Sequence, residues 1–191
     1  MNTGFMTLLC ACQDYDMNNK ILALWELCHQ SDFIRWQLTF ALSLIEGETA
    51  SVMLLDEAGE NLVFCSSIGE NVDKYLGQGK YEDAMRVPMN SEKGINPLVV
   101  LFGKPICMED GDPRHYPNID QVAGTKTRSL YALPLAAKDR VVGTFSAINA
   151  HYKTPDLSRR FHFDNRDLEA MRAASHAVHL WLSHLWEDLE R

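Results

Sequence analysis

Between Asp164 and Glu190, the residues Leu168, Met171, Ser175, Val178, Leu182, Leu185 and Leu189 succeed one another at steps of three and four. An α-helix turns once every 3.6 residues, so this spacing aligns those side chains along one face, in the manner of a two-helix seam. Ala170, Ala174, Ala177 and Trp181 line a second stripe beside it. A helix apolar on two stripes needs two neighbours, one within its own fold and one that a second copy of the chain can supply. The expectation is a homodimer whose interface includes Leu168, Met171, Val178, Leu182, Leu185 and Leu189, with Trp181 and Trp186 packing close by. The same stretch does not read as a membrane span. Its longest run without Asp, Glu, Lys or Arg, Ala173 to Trp186, falls short of the roughly 20 apolar residues that a bilayer requires.

Composition bounds the rest. The 191 residues are 46% hydrophobic and 23% charged, enough apolar material for one globular core. Against 26 Asp and Glu stand 18 Lys and Arg, a formal charge of -8, which argues against a phosphate-neutralising surface and against nucleic acid as a partner. Met1 to Gln13 is uncharged and no Lys or Arg precedes Lys20, so the basic start of a secretory signal is missing. The reading is an N-terminal tail over 1–17 and a single domain over 18–191, in a cytoplasmic protein with no membrane partner.

Cys10, Cys12, Cys28, Cys65 and Cys107 are odd in number and include no Cys-x-x-Cys pair, which sets aside a disulfide framework and structural zinc. Cys65 and Cys107 fall in apolar, strand-like runs and are expected to be small buried hydrophobes. His176 and His179 stand one helical turn apart, a spacing that could bring both rings to one metal. No Asp, Glu or Cys lies within a turn of either, so they read as solvent or helix-interface residues. No metal and no cofactor is expected.

Helical spacing runs from Asn18 to Glu46 and is interrupted at Gln30-Ser31-Asp32, where Ser31 or Asp32 can cap a second helix. Ala50–Leu55 and Leu62–Ile68 then read as a hairpin around Asp56-Glu57-Ala58-Gly59. A short helix with loop over 69–83, a strand near 84–89 and a short buried helix over 94–102 follow; Gly103 ends that helix in the left-handed conformation. After an extended segment over 104–108, the residues Gly111, Asp112-Pro113, Pro117 and Gly124 make 110–126 an irregular loop long enough to be functional. Ser129–Ala136 and Val141–Ile148 form a second hairpin with no Gly at its turn, and a helix over 164–190 closes the chain. This order predicts an α+β fold: one antiparallel sheet between a layer of terminal helices (18–46 and 164–190) and a loop-rich face where a small molecule can sit.

In this order, Ala50 to Asp56, Lys104-Pro105-Ile106, Asp112-Pro113, Ile119-Asp120, Gly124 to Ser129, Leu133-Pro134-Leu135, Val142-Gly143 and Asn149 resemble the GAF domain of signalling proteins and cyclic-nucleotide phosphodiesterases, from about residue 33 to 185. The resemblance implies a central antiparallel sheet with the terminal helices on one face and a ligand pocket, covered by a loop and short helices, on the other. Cyclic-nucleotide-binding members carry Tyr, Asp, Thr and Thr along the covering element. Tyr116, Asp120 and Thr127 match three of these and Ala123 stands at the fourth, so Tyr116, Asp120 and Thr127 are the implied ligand contacts. For Asp120 and Thr127 the alternative is a purely structural stitch of loop to sheet. Asn149, Phe163 and Asp167 match the phosphodiesterase signature and are implied to be structural. Ala150 and Leu168 replace its Lys and Glu, so the ion pair of that signature cannot form.

Two chemistries of the family lack their residues. A bilin-binding member needs a Cys in the covering helix, whereas Cys28-His29 precedes the first strand. A methionine-sulfoxide-reducing member needs Cys after the Lys-Gly pair and again in the long loop. Here Lys93-Gly94 is followed by Ile95-Asn96, and residues 108–128 contain no Cys. The expected function is a sensory or regulatory domain in signal transduction, without catalysis of its own. It binds a small ligand, a cyclic nucleotide among the candidates, and signals to a downstream protein or effector domain through paired terminal helices. A ligand-free dimerisation module and a cysteine-based redox enzyme remain open as other classes.

Overall fold

The computed structural model describes residues 19–69, 72–76, 79–90, 94–115, 117–123, 126–150 and 162–191; the expected tail over 1–17 lies outside them. Two helices lead, α1 over 19–30 and α2 over Asp32–Ile45. Ser31 separates them in an extended conformation, and its hydroxyl accepts from the Ile34 amide at 3.2 Å, the N-cap that the sequence suggests. Glu46, at a positive φ of 50°, ends α2. Ile34, Leu38, Ala41 and Ile45 recur at helical spacing along its buried face.

The hairpin of β1 (Thr49–Leu55) and β2 (Asn61–Gly69) turns at Asp56. One Asp56 carboxylate oxygen accepts from the Glu60 and Asn61 amides at 2.8 and 3.1 Å, which fixes the register of the two strands. Then come α3 (Val72–Leu76), β3 (Arg86–Pro88), α4 (Ile95–Phe102) and β4 (Ile106–Met108). They are followed by α5 (Pro117–Ala123), the hairpin of β5 (Leu130–Ala137) and β6 (Arg140–Ile148), and α6 (Asn165–Leu189). All pairings are antiparallel, in the order β3-β2-β1-β6-β5-β4, and the fold is α+β.

Strand side chains alternate between faces. Ala50, Val52 and Leu54 of β1 join Phe145 and Ala147 of β6 and Leu133 of β5 under α1, α2 and α6. Met53 and Leu55 face the other way, against Tyr75 of α3 and Leu62 and Phe64 of β2. Trp25 ties α1 to the sheet through its indole N–H, which donates to the Phe64 carbonyl at 3.0 Å.

Three expectations are corrected. The first concerns the seam of α6. Met171, Val178 and Leu182 are fully buried in the core of the same chain, and Leu168, Leu185 and Leu189 are packed against that core. α2 and β5 meet this periodicity within the chain, so Met171, Val178 and Leu182 have no surface to offer a second copy, while Leu168, Leu185 and Leu189 stay partly exposed. On the terminal helices the large apolar residues left outside are Leu27 on α1, Phe33, Trp36, Phe40 and Leu44 on α2 and Leu180 on α6; Leu101 and Phe102 on α4 and Val122 on α5 are exposed elsewhere. Second, the expected irregular loop over 110–126 contains α5, whose first residue is Pro117; its ring presets a helical φ where a missing N–H does no harm. Third, Cys107 is exposed, not buried. On the three-residue edge strand β4 its neighbours Ile106 and Met108 face the core, so alternation turns Cys107 outward.

Candidate functional site

The face of the sheet away from the terminal helices is covered by α3, α4 and α5, and a cleft lies beneath them. Thr49 and Ser51 of β1 and Ser146 of β6 make its floor, because alternate residues of a strand point to the same side. The Ser51 and Ser146 hydroxyls bond each other at 3.1 Å across the β1–β6 pair. Phe64, Tyr75, Val87, Met108, Ile119 and Leu130 form apolar walls, and the first turn of α4, Gly94 to Pro97, closes one side. The cavity is about 50 Å3, well below the roughly 300 Å3 or more of a small-molecule site, so the walls stand close and an occupant bigger than a few waters parts α4 and α5 from the sheet.

Of the implied ligand contacts, Asp120 and Thr127 line this cleft, and Tyr116 lies outside the described residues. The polar atoms of Asp120 are engaged. One carboxylate oxygen accepts from the Thr127 hydroxyl at 2.7 Å; the other accepts from the Thr127 amide at 2.8 Å and lies 3.1 Å from Nε2 of His115. Together they fasten α5 to the segment that enters β5. No Lys or Arg is among the described residues of the lining. Outside it, Arg114 holds Asp112 through paired contacts, and its guanidinium keeps the Asp112 carboxyl below the usual carboxylate range.

Asn149, Phe163 and Asp167 do not line the cleft. Asn149 sits at a positive φ of 55°, which Asn tolerates better than most residues. Its Oδ1 accepts from the Arg128 and Ser129 amides at 2.7 and 3.2 Å, and its Nδ2 donates to the Lys126 carbonyl at 2.8 Å and to Glu48 at 2.6 Å. It braces the end of β6 against the entry to β5. Phe163 is buried beside Tyr131, ring centres 5.9 Å apart. Asp167 forms a capping box with Asp164 at the start of α6, and burial pushes its carboxyl up.

Sequence reasoning missed Asn96. It lies in the lining, 6% exposed, and its Oδ1 has no hydrogen-bond partner. The available signal was a single amide in the otherwise apolar segment Ile95–Phe102. Cys28 and Cys65 are buried, and burial with a neighbouring thiol raises Cys65 well above the usual thiol value. Although Cys107 is exposed, partial desolvation by its neighbours and the Glu109 carboxylate raise its thiol. Among the described residues, no three His, Cys, Asp or Glu side chains are grouped to hold a metal ion, and no helix is long and apolar enough to cross a membrane.

An antiparallel sheet with terminal helices on one face and a cleft under short helices on the other defines a known class of α+β domain. The chain matches the family model of the GAF domain over residues 38–180, and it belongs to that family. Among solved structures it is similar to a free methionine-R-sulfoxide reductase from Neisseria meningitidis in complex with its substrate, at 16% identity, 88% of each chain covered and a TM-score of 0.57. It is also similar to a GAF domain/HD domain protein from Geobacter sulfurreducens, at 14% identity, 81% of this chain and 92% of that one, TM-score 0.57. A third likeness is to the GAF-B domain of DevS from Mycobacterium smegmatis, at 18% identity, 81% and 90% covered, TM-score 0.50. At such identities the likeness establishes the fold alone. GAF domains are found in sensor and signalling proteins, and the Neisseria protein shows that the fold also carries an enzyme.

Proposed function

We propose that this chain is a regulatory GAF domain without catalysis of its own, which binds a small molecule in the cleft and signals through its terminal helices to a downstream protein or effector domain in the cytoplasm. The carrying observation is the cleft itself, a hydroxyl-lined floor with apolar walls under three short helices. An occupant that parts α4 from the sheet changes the load on β5, on whose other face α6 is packed. Native mass spectrometry of protein purified from its source tests the reading. A retained non-covalent mass, lost on denaturation and absent from a Ser146→Leu variant whose floor is filled, is the expected result. No retained mass, together with no small molecule that raises the melting temperature, leaves the dimerisation module instead.

A cyclic nucleotide is the weaker form of this proposal. Asp120 and Thr127 are in the lining, but they bond each other, and a buried phosphate finds no Lys or Arg among the described lining residues. Cyclic AMP and cyclic GMP at millimolar concentration are expected to shift the melting temperature little. A cysteine-based enzyme draws no support from Cys65 and Cys107, whose thiols are both raised away from the reactive thiolate; Cys10 and Cys12 lie outside the described residues.

A further inference from the structure

Among the described residues that line the cleft, one buried side-chain polar atom lacks a partner, Oδ1 of Asn96. A buried acceptor left unpaired is costly, and it marks a place where something outside the chain can meet it. Asn96 is the second residue of α4. Gly94, the N-cap, supplies no side-chain hydrogen bond, and Pro97 has no N–H. The Ile95 and Asn96 amides are therefore first-turn donors with no partner inside the helix. Both residues belong to the lining, so donors and an acceptor lie close together at a helix end that borders the cleft.

The charge around this end narrows the complement. A carboxylate or phosphate would suit the helix amides, but it would set its charge against Asn96 Oδ1 and the Asp120 carboxylate; the described lining has no Lys or Arg, and its one basic side chain, His115, is already paired with Asp120. We propose that Asn96 is the specificity residue of the cleft, and that with the first turn of α4 it reads the amide edge of an uncharged lactam, as in a free nucleobase. The lactam N–H donates to Oδ1 and the adjacent carbonyl accepts from the helix amides. This rests on the cleft being the ligand site.

Calorimetric titration of the full chain with hypoxanthine and uracil, each beside its analogue methylated at the lactam nitrogen, tests it. The wild type should bind at least one parent base and bind the methylated form about 10- to 100-fold more weakly, the cost of one buried hydrogen bond unmade. Asn96→Leu should bind parent and methylated forms alike, and Asn96→Asp, which keeps the acceptor, should keep the preference. Asn96→Ser, too short to reach, replaces the Leu variant if circular dichroism shows that Leu disturbs the fold. No binding of either base by the wild type, or a preference that survives in the Leu or Ser variant, overturns the proposal. If native mass spectrometry finds a retained compound while both bases fail, the amide edge falls and the ligand site stands; if nothing is retained either, both fall.

Discussion

Asn149 does the work of several residues because its amide is both donor and acceptor. Asn149→Gly keeps the positive φ and removes every side-chain bond, so denaturant melts should show a loss of about 2–4 kcal/mol, the cost of two backbone amides left without an acceptor. The family signature made Asn149 legible in the sequence. Asn96 was not legible, because lacking a partner is a property of tertiary placement and not of a residue type. Asp112 gives a test in acid. Its folded carboxyl is held below the ordinary value by Arg114, so the pair contributes stability above about pH 4, the unfolded value, and loses it as pH falls through the folded value. The stability difference between wild type and Arg114→Gln should therefore be full near neutrality and shrink below about pH 4. A difference that is constant with pH would show that Arg114 acts through packing alone.

At the scale of elements, α6 shows how far a periodic pattern reaches. Steps of three and four establish a helix with an apolar face, but they do not say what covers it. Here the sheet and α2 cover it, and the exposed apolar stripe is Phe33, Trp36, Phe40 and Leu44 on α2. Met171→Ala should cost about 2–5 kcal/mol in a thermal or denaturant melt, as deletion of buried methylenes does. Trp36→Glu, at a side chain 62% exposed in the single chain, should change the stability of that chain by no more than about 0.5 kcal/mol. A loss at Trp36 as large as that at Met171 would show that Trp36 is covered in solution, as an interface on α2 requires. Hairpin β1–β2 was readable from Asp56 and Gly59, and the Ser31 cap from its spacing. The β5–β6 turn lacks Gly because Lys138 itself adopts the positive φ, at 52°, while its ammonium pairs with Glu190 on the last turn of the chain. Helix α5 was hidden because Pro and Gly mark breaks in the chain without saying that a short helix fits between them.

On the scale of the molecule, the sheet separates a helical face, proposed to meet a partner, from a cleft proposed to take a ligand. The α2 stripe, with the Phe33 ring 6.0 Å from that of Trp181 on α6, is an unpaired apolar surface beside the terminal helices, and a second copy of the chain is the proposed cover. In sedimentation the wild type should run as a dimer at micromolar concentration and the Trp36→Glu, Phe40→Glu double variant as a folded monomer. A monomeric wild type would remove the dimer and leave the cleft untouched. The cleft is the central claim, and calorimetry with the compound that the protein retains tests it most directly, comparing wild type with Ser146→Leu. The account predicts saturable one-to-one binding to the wild type and none to the variant, whose circular dichroism stays that of the folded chain. Equal affinity for both would place the ligand elsewhere and contradict it.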